Sequence, residues 1–152
     1  MIVKMINEIE MKRFGEVVGR LLNGGEKIEL VGDVGAGKTT LVKGIAVGLG
    51  IDENIQSPSF TINRVYDGRD NIILSHYDFY RLDDAGIMAD ELGEVIDDKK
   101  MVTIIEWGGA VSEILPKDRL IINISSPTEE SRRLMIESGG VISEKLKVGL
   151  MK

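Results

Sequence analysis

The sequence predicts a three-layer α/β domain with a mostly parallel, mixed sheet and one antiparallel hairpin. Helical and strand-like patterns interleave along the chain. Met101 to Ile105 is a run of strand length, apolar but for Thr103, as expected of a strand buried on both faces. Asp67-Gly68-Arg69-Asp70 has turn chemistry and joins two segments of alternating polarity, which predicts the hairpin.

Each element has a local reason. From Glu8 to Asn23 the apolar residues Met11, Phe14, Val17, Val18, Leu21 and Leu22 recur at three- and four-residue steps. This is one face of a helix, with Asn7 as N-cap and Gly24-Gly25 as stop. Lys27 to Val31 is a short strand, and Lys38 to Leu49 reads as a helix ending at Gly50. The hairpin strands are Phe60 to Tyr66 and Asn71 to Tyr77. Asp83 to Asp98 is an acidic surface helix with one apolar stripe. After the Met101 strand, a short helix is expected over Gly109 to Leu115, closed by Pro116. Strands at Leu120 to Ile124 and Arg133 to Ile136 follow, then a short helix over Ile142 to Val148.

With 152 residues, 43% of them hydrophobic and 5% aromatic, the chain is expected to form one domain, 1–152, around an aliphatic core. The absence of cysteine excludes disulfides, zinc fingers and cysteine nucleophiles. No apolar run approaches the roughly 18 residues of a membrane span, and the first residues lack a signal-peptide core. A soluble, cytoplasmic protein without membrane contact is expected. Nineteen basic against twenty-five acidic residues give a net charge of −6. That balance disfavours a broad nucleic-acid footprint, which is built from clustered Lys and Arg.

The strongest signal lies between the second and third elements. Residues 32 to 40 read GDVGAGKTT, which is G-x-x-x-x-G-K-T on Gly32, Gly37, Lys38 and Thr39. A loop from strand to helix turns its N–H groups inward only where residues lack a blocking Cβ. Asp33, Val34, Gly35, Ala36 and Gly37 would supply those amides to a β-phosphate, helped by the positive end of the helix. Lys38 would reach the β- and γ-phosphates, Thr39 would ligate Mg²⁺, and Thr40 would contact the α-phosphate. The expected ligands are therefore ATP or ADP with Mg²⁺ in a P-loop NTPase-like fold.

Such a site needs an acid near the metal at the end of a neighbouring buried strand. Glu106 closes the Met101 run, and Asp78 emerges from the second hairpin strand. The two carboxylates would share the metal, directly or through water, and one would polarise the attacking water. His76, the only histidine, reads as a packed or capping residue. Trp107 would stack on a base or a partner, or pack. Arg81, Arg132 and Arg133 are candidates for stabilising charge on a transferring phosphoryl group. A guanine-reading Asn-Lys-x-Asp is absent, and Asp90-Glu91-Leu92-Gly93 falls inside a predicted helix. These features disfavour a signalling GTPase. Three classes stay open on the residues alone: an ATPase, a small-molecule kinase and a nucleotide-dependent regulatory subunit.

Four segments in order, Gly32 to Leu41, Ser57-Pro58-Ser59-Phe60-Thr61, His76 to Leu82 and Ile104-Ile105-Glu106-Trp107, resemble the bacterial TsaE (YjeE) family. The resemblance implies a P-loop ATPase required for threonylcarbamoyl-adenosine in tRNA, acting with the TsaB and TsaD subunits. On that basis tRNA would be met only indirectly. Asp78 and Glu106 would be essential acids around metal and water, Ser57 to Thr61 a switch-like loop answering to the γ-phosphate, and Trp107 a neighbour of the site. The family's usual Ser-Pro-Thr-Phe is Ser57-Pro58-Ser59-Phe60 here, and its usual Ser or Thr near the start of the first helix is represented only by Asn7.

Overall fold

The computed structural model describes residues 1–58, 61–80 and 86–152, and only the backbone of 87 and 88. Its strands are β1 (Ile2–Met5), β2 (Lys27–Val31), β3 (Asn63–Asp67), β4 (Ile73–Asp78), β5 (Met101–Glu106), β6 (Leu120–Ser125) and β7 (Arg132–Ser138). The helices are α1 (Glu8–Leu21), α2 (Lys38–Gly48), α3 (Gly86–Val95) and α4 (Val141–Leu150). All seven strands form one sheet in the order β1-β7-β6-β2-β5-β4-β3.

The centre of the sheet is parallel, with β2 paired to both β5 and β6, and β4 paired to β5. The expected hairpin is β3–β4, antiparallel with Arg64 opposite His76. At the other edge β7 and β1 add antiparallel pairings. Strand β1 carries no local signal: Ile-Val-Lys-Met is too short to show a period, and its place is set by pairing with β7. The helix expected over Gly109 to Leu115 is a 3₁₀ turn over Gly108–Val111.

Two apolar clusters, one on each face of the sheet, make the three layers. The larger joins α1, α2 and α4 to inward residues such as Ile28, Leu30, Ile104, Ile122 and Leu134. The smaller packs Leu92 of α3 and Val111 against Tyr77 and Ile105. Alternation along β5 explains the division, since Val102 and Ile104 face one cluster and Ile105 the other.

Helix α1 starts as its sequence dictates. The Asn7 side chain accepts from Glu10 N at 2.9 Å, and the Glu10 carboxylate accepts from Ile6 N at 2.8 Å. It packs on α2 with main chains in contact. A Cβ on Gly15 would stand 2.5 Å from Leu41 O, and one on Gly44 would stand 2.2 Å from Lys12 O. Arg69, in the hairpin turn, donates to Gly19 O and Arg20 O at 2.9 Å and to Leu22 O at 3.0 Å, capping the end of α1.

Candidate functional site

The parallel strands β2, β5 and β4 all end at one edge of the sheet, where α/β folds bind ligands. The loop from Gly32 to Gly37 leaves β2 there and enters α2. Its glycines answer to geometry. Gly35 and Gly37 have φ of 81° and 104°, in the left-handed region. A Cβ on Gly32 would stand 2.9 Å from Ile124 O of the neighbouring strand. The first amides of α2 have no partner inside the helix, so their donors are available at the loop mouth. Ala36 is buried, whereas Asp33, Val34 and Gly35 are exposed.

Arg132 holds this loop from outside. Its Nε donates to Ala36 O at 2.7 Å and its Nη2 to Gly35 O at 3.3 Å. Its Nη1 donates to the carbonyls of Glu129 and Ser131 at 2.8 Å and of Thr128 at 3.3 Å. The guanidinium is thus committed to five backbone carbonyls, in place of the expected role on a phosphoryl group. By taking the Gly35 and Ala36 carbonyls, it keeps those peptide oxygens turned away from the loop's concave side. Arg133 is exposed on β7, and Arg81 lies outside the described residues, as do Ser59 and Phe60 of the switch-like segment.

Lys38 occupies the middle of the site and is only 6% exposed. Its Nζ donates to Gly32 O at 2.7 Å, lies 4.0 Å from Glu106 Oε1 and sits 4.0 Å from the centre of the Trp107 ring. Burial pushes its pKa below the ordinary lysine value, while Glu106, Asp78 and Asp33 pull in the opposite direction. A cation held in this way is poised for a polyanion.

Asp78 and Glu106 are register partners on adjacent parallel strands, so their side chains leave the same face at the same edge. Both are buried, at 4% and 2% exposure. Asp78 Oδ1 accepts from Tyr80 N at 2.9 Å, and Glu106 Oε2 meets His76 Nε2 at 2.5 Å. Trp107 adopts φ 56°, ψ 49°, uncommon for a bulky residue and worth about 1–3 kcal/mol of strain. That turn lays the indole over Lys38 and against Tyr80, with ring centres 4.9 Å apart.

Thr39 and Thr40 open α2, and Thr40 Oγ1 donates to Glu8 Oε1 at 3.2 Å. Beside Thr40 and Gly37 a cleft of about 600 Å³ runs between the start of α1 and the Glu129–Glu130 loop, lined also by Asn7, Ile9 and Met11. Among the described residues no three His, Cys, Asp or Glu side chains cluster as a metal cage. A divalent ion here would need ligands of other kinds as well, a requirement met by Mg²⁺, which commonly binds through one or two carboxylates, phosphates and water.

The structure therefore gathers Lys38, Asp78, Glu106 and Trp107 around the glycine loop. Two contributions escaped the sequence reading. His76 touches Glu106, for which its i, i+2 spacing from Asp78 on one strand face was the available signal. The clamp by Arg132 depends on a tertiary contact 96 positions away in sequence, and local pattern carries no trace of it.

Comparison with known proteins points to one family. Residues 5–134 match the family described as Threonylcarbamoyl adenosine biosynthesis protein TsaE. The tRNA threonylcarbamoyladenosine biosynthesis protein TsaE of Treponema pallidum is 40% identical over 124 residues, which are 82% of this chain and 90% of that protein. The protein of the same name from Bacillus subtilis is 34% identical, over 90% of this chain and 85% of its own. The crystal structure of Bacillus subtilis YdiB superposes with a TM-score of 0.85 at 32% identity, covering 99% of this chain and 93% of that one. With the match running from β1 into β7, across every strand and loop that builds the site, the chain belongs to the TsaE family.

Proposed function

We propose that this chain is a Mg²⁺-dependent ATPase subunit that supports threonylcarbamoyl-adenosine modification of tRNA together with TsaB and TsaD. The observation that carries the reading is the buried Lys38 ammonium, set between the glycine loop and two buried acids. A buried cation beside the start of α2, where the first helical amides lack intrahelical partners, fits the β- and γ-phosphates of a nucleotide.

Asp33 to Gly37 would cradle the β-phosphate, and Lys38 would bridge β- and γ-oxygens. Thr40 would meet the α-phosphate, which directs the nucleoside into the cleft between Asn7 and the Glu129–Glu130 loop. Thr39, Asp78 and Glu106 would hold Mg²⁺, directly or through water, and one of the acids would orient the attacking water. When bound, the metal supplies charge neutralisation between the β- and γ-phosphates. Trp107 would cover the lysine and exclude solvent. With a net charge of −6, the chain would meet tRNA through its partners and work in the cytoplasm.

Reconstitution tests the reading. ATP turnover by the purified chain should be slow alone and faster with TsaB and TsaD, and tRNA modification over repeated turnovers should require this chain with ATP. Modification that proceeds unchanged with Lys38→Ala, or transfer of phosphate to a metabolite, would overturn it.

A further inference from the structure

His76 is the only histidine, and its side chain is fully buried in the middle of β4. Its Nε2 lies 2.5 Å from Glu106 Oε2, shorter than an ordinary N–H···O bond of about 2.7–3.2 Å. Its Nδ1 is buried with no hydrogen-bond partner. Directly across the ladder stands Arg64, whose Nε is also buried without a partner. Opposed residues in an antiparallel pair share a face. A ring nitrogen and a guanidinium N–H are therefore orphaned on the same face of adjacent strands.

The short contact engages the Glu106 carboxylate from the side of β4. Glu106 then has one oxygen fixed by His76, and its other oxygen faces Lys38 at 4.0 Å.

We propose that His76 is the positioning residue of Glu106, holding one oxygen of its carboxylate from the middle of β4. This rests on the reading of Glu106 as an acid of the Mg²⁺-nucleotide site. Holding one carboxylate oxygen removes the rotation that would otherwise take the other away from metal and water.

A single histidine makes the contact directly readable by long-range ¹H–¹⁵N NMR on the full nucleotide-free chain. Glu106→Gln should move the His76 Nε2 resonance, and an imidazole indifferent to that substitution overturns the proposal.

Kinetics supply the second readout. His76→Leu should lower kcat by about 10–100-fold and raise the Mg²⁺ needed for half-maximal turnover, with KM for ATP held within about twofold. His76→Gln, whose amide can replace the Nε2 donor, should recover most of the loss. If His76→Leu fails to fold, the comparison of Gln with Asn, whose amide falls short of Glu106, takes its place. Equal kcat in all variants sinks the positioning role. Absence of Mg²⁺-ATP binding and turnover in the wild type would instead sink the reading of the site, leaving the NMR result to stand by itself.

Discussion

The Lys38 ammonium lies 4.0 Å from the centre of the Trp107 ring, a cation–π contact made at the mouth of the glycine loop. Trp107 is the only tryptophan, so tryptophan fluorescence reports on its surroundings, Lys38 and Tyr80. Mg²⁺-ATP should draw Lys38 toward phosphate and change the emission on titration. Lys38→Ala should abolish the change and weaken binding by at least about tenfold. Constant emission alongside calorimetrically demonstrated binding would show that the lysine stays on the ring.

Burial lowers the pKa of Lys38 below the usual 10.5. A polyphosphate favours the charged ammonium, so binding above the lowered pKa must take up a proton. Nucleotide affinity should therefore fall as pH rises, beginning below the ordinary lysine range. Calorimetry in buffers of different ionisation enthalpy would detect the uptake. Lys38→Arg, always charged, should remove the alkaline loss, and an unchanged pH profile in that variant would exclude Lys38 as its source.

Arg132→Ala frees five backbone carbonyls, two of them in the glycine loop. The expected outcome is roughly a tenfold loss of ATP affinity in a folded protein, the scale of one or two hydrogen bonds to a charged donor. Arg132→Lys should restore little, because an ammonium cannot span both loops. Wild-type affinity in either variant would mean the loop holds its shape unaided.

Gly44→Ala places a methyl 2.2 Å from Lys12 O, a clash with main chain that no rotamer relieves. It should destabilise the fold by about 2–3 kcal/mol, a fall in Tm of roughly 4–12 °C for a chain of this length. Gly93→Ala in α3 meets no atom within 4 Å and should leave Tm the same or higher. Equal melting of the two variants would contradict the close crossing.

Asp118 caps α4 from outside the helix, accepting from Ile142 N and Ser143 N at 2.9 Å and from Ser143 Oγ at 2.7 Å. Burial works to raise its pKa, but these bonds together with Lys27 bring it below the usual carboxylate value. The stabilisation is present above the unfolded pKa and lost as pH falls through the lower folded one. Asp118→Ala should cost about 1 kcal/mol near neutrality and nothing in strong acid. A Tm difference that persists at low pH would assign the loss to packing.

Much of this molecule is written in local pattern. The Lys27–Val31 strand, the glycine loop and the Lys38 helix form where spacing placed them, because each is set by neighbours within a few residues. Glu106 stands at the predicted end of β5, since a run buried on both faces must stop where the polar residue begins. What stayed hidden depends on contacts distant in sequence. Strand β1 has its partner 127 to 133 positions away, where Met5 pairs with Arg132 and the register continues to Ile2 and Met135. The glycines at 15, 19, 44 and 48 are visible as two four-residue steps, yet only the fold shows that they face one another. His76 illustrates the same limit, for a lone histidine acquires meaning only when Glu106 arrives from another strand.

Where α1 crosses α2, no layer of side chains separates the two backbones, so neither helix can slide or roll against the other without collision. They behave as one stiff spar. Any displacement of Lys38 and its helix on meeting a ligand is carried whole into α1, and the first strand of the chain, joined to α1 by only two residues, travels with it. News of an event at the phosphate mouth thus arrives mechanically at the far edge of the sheet.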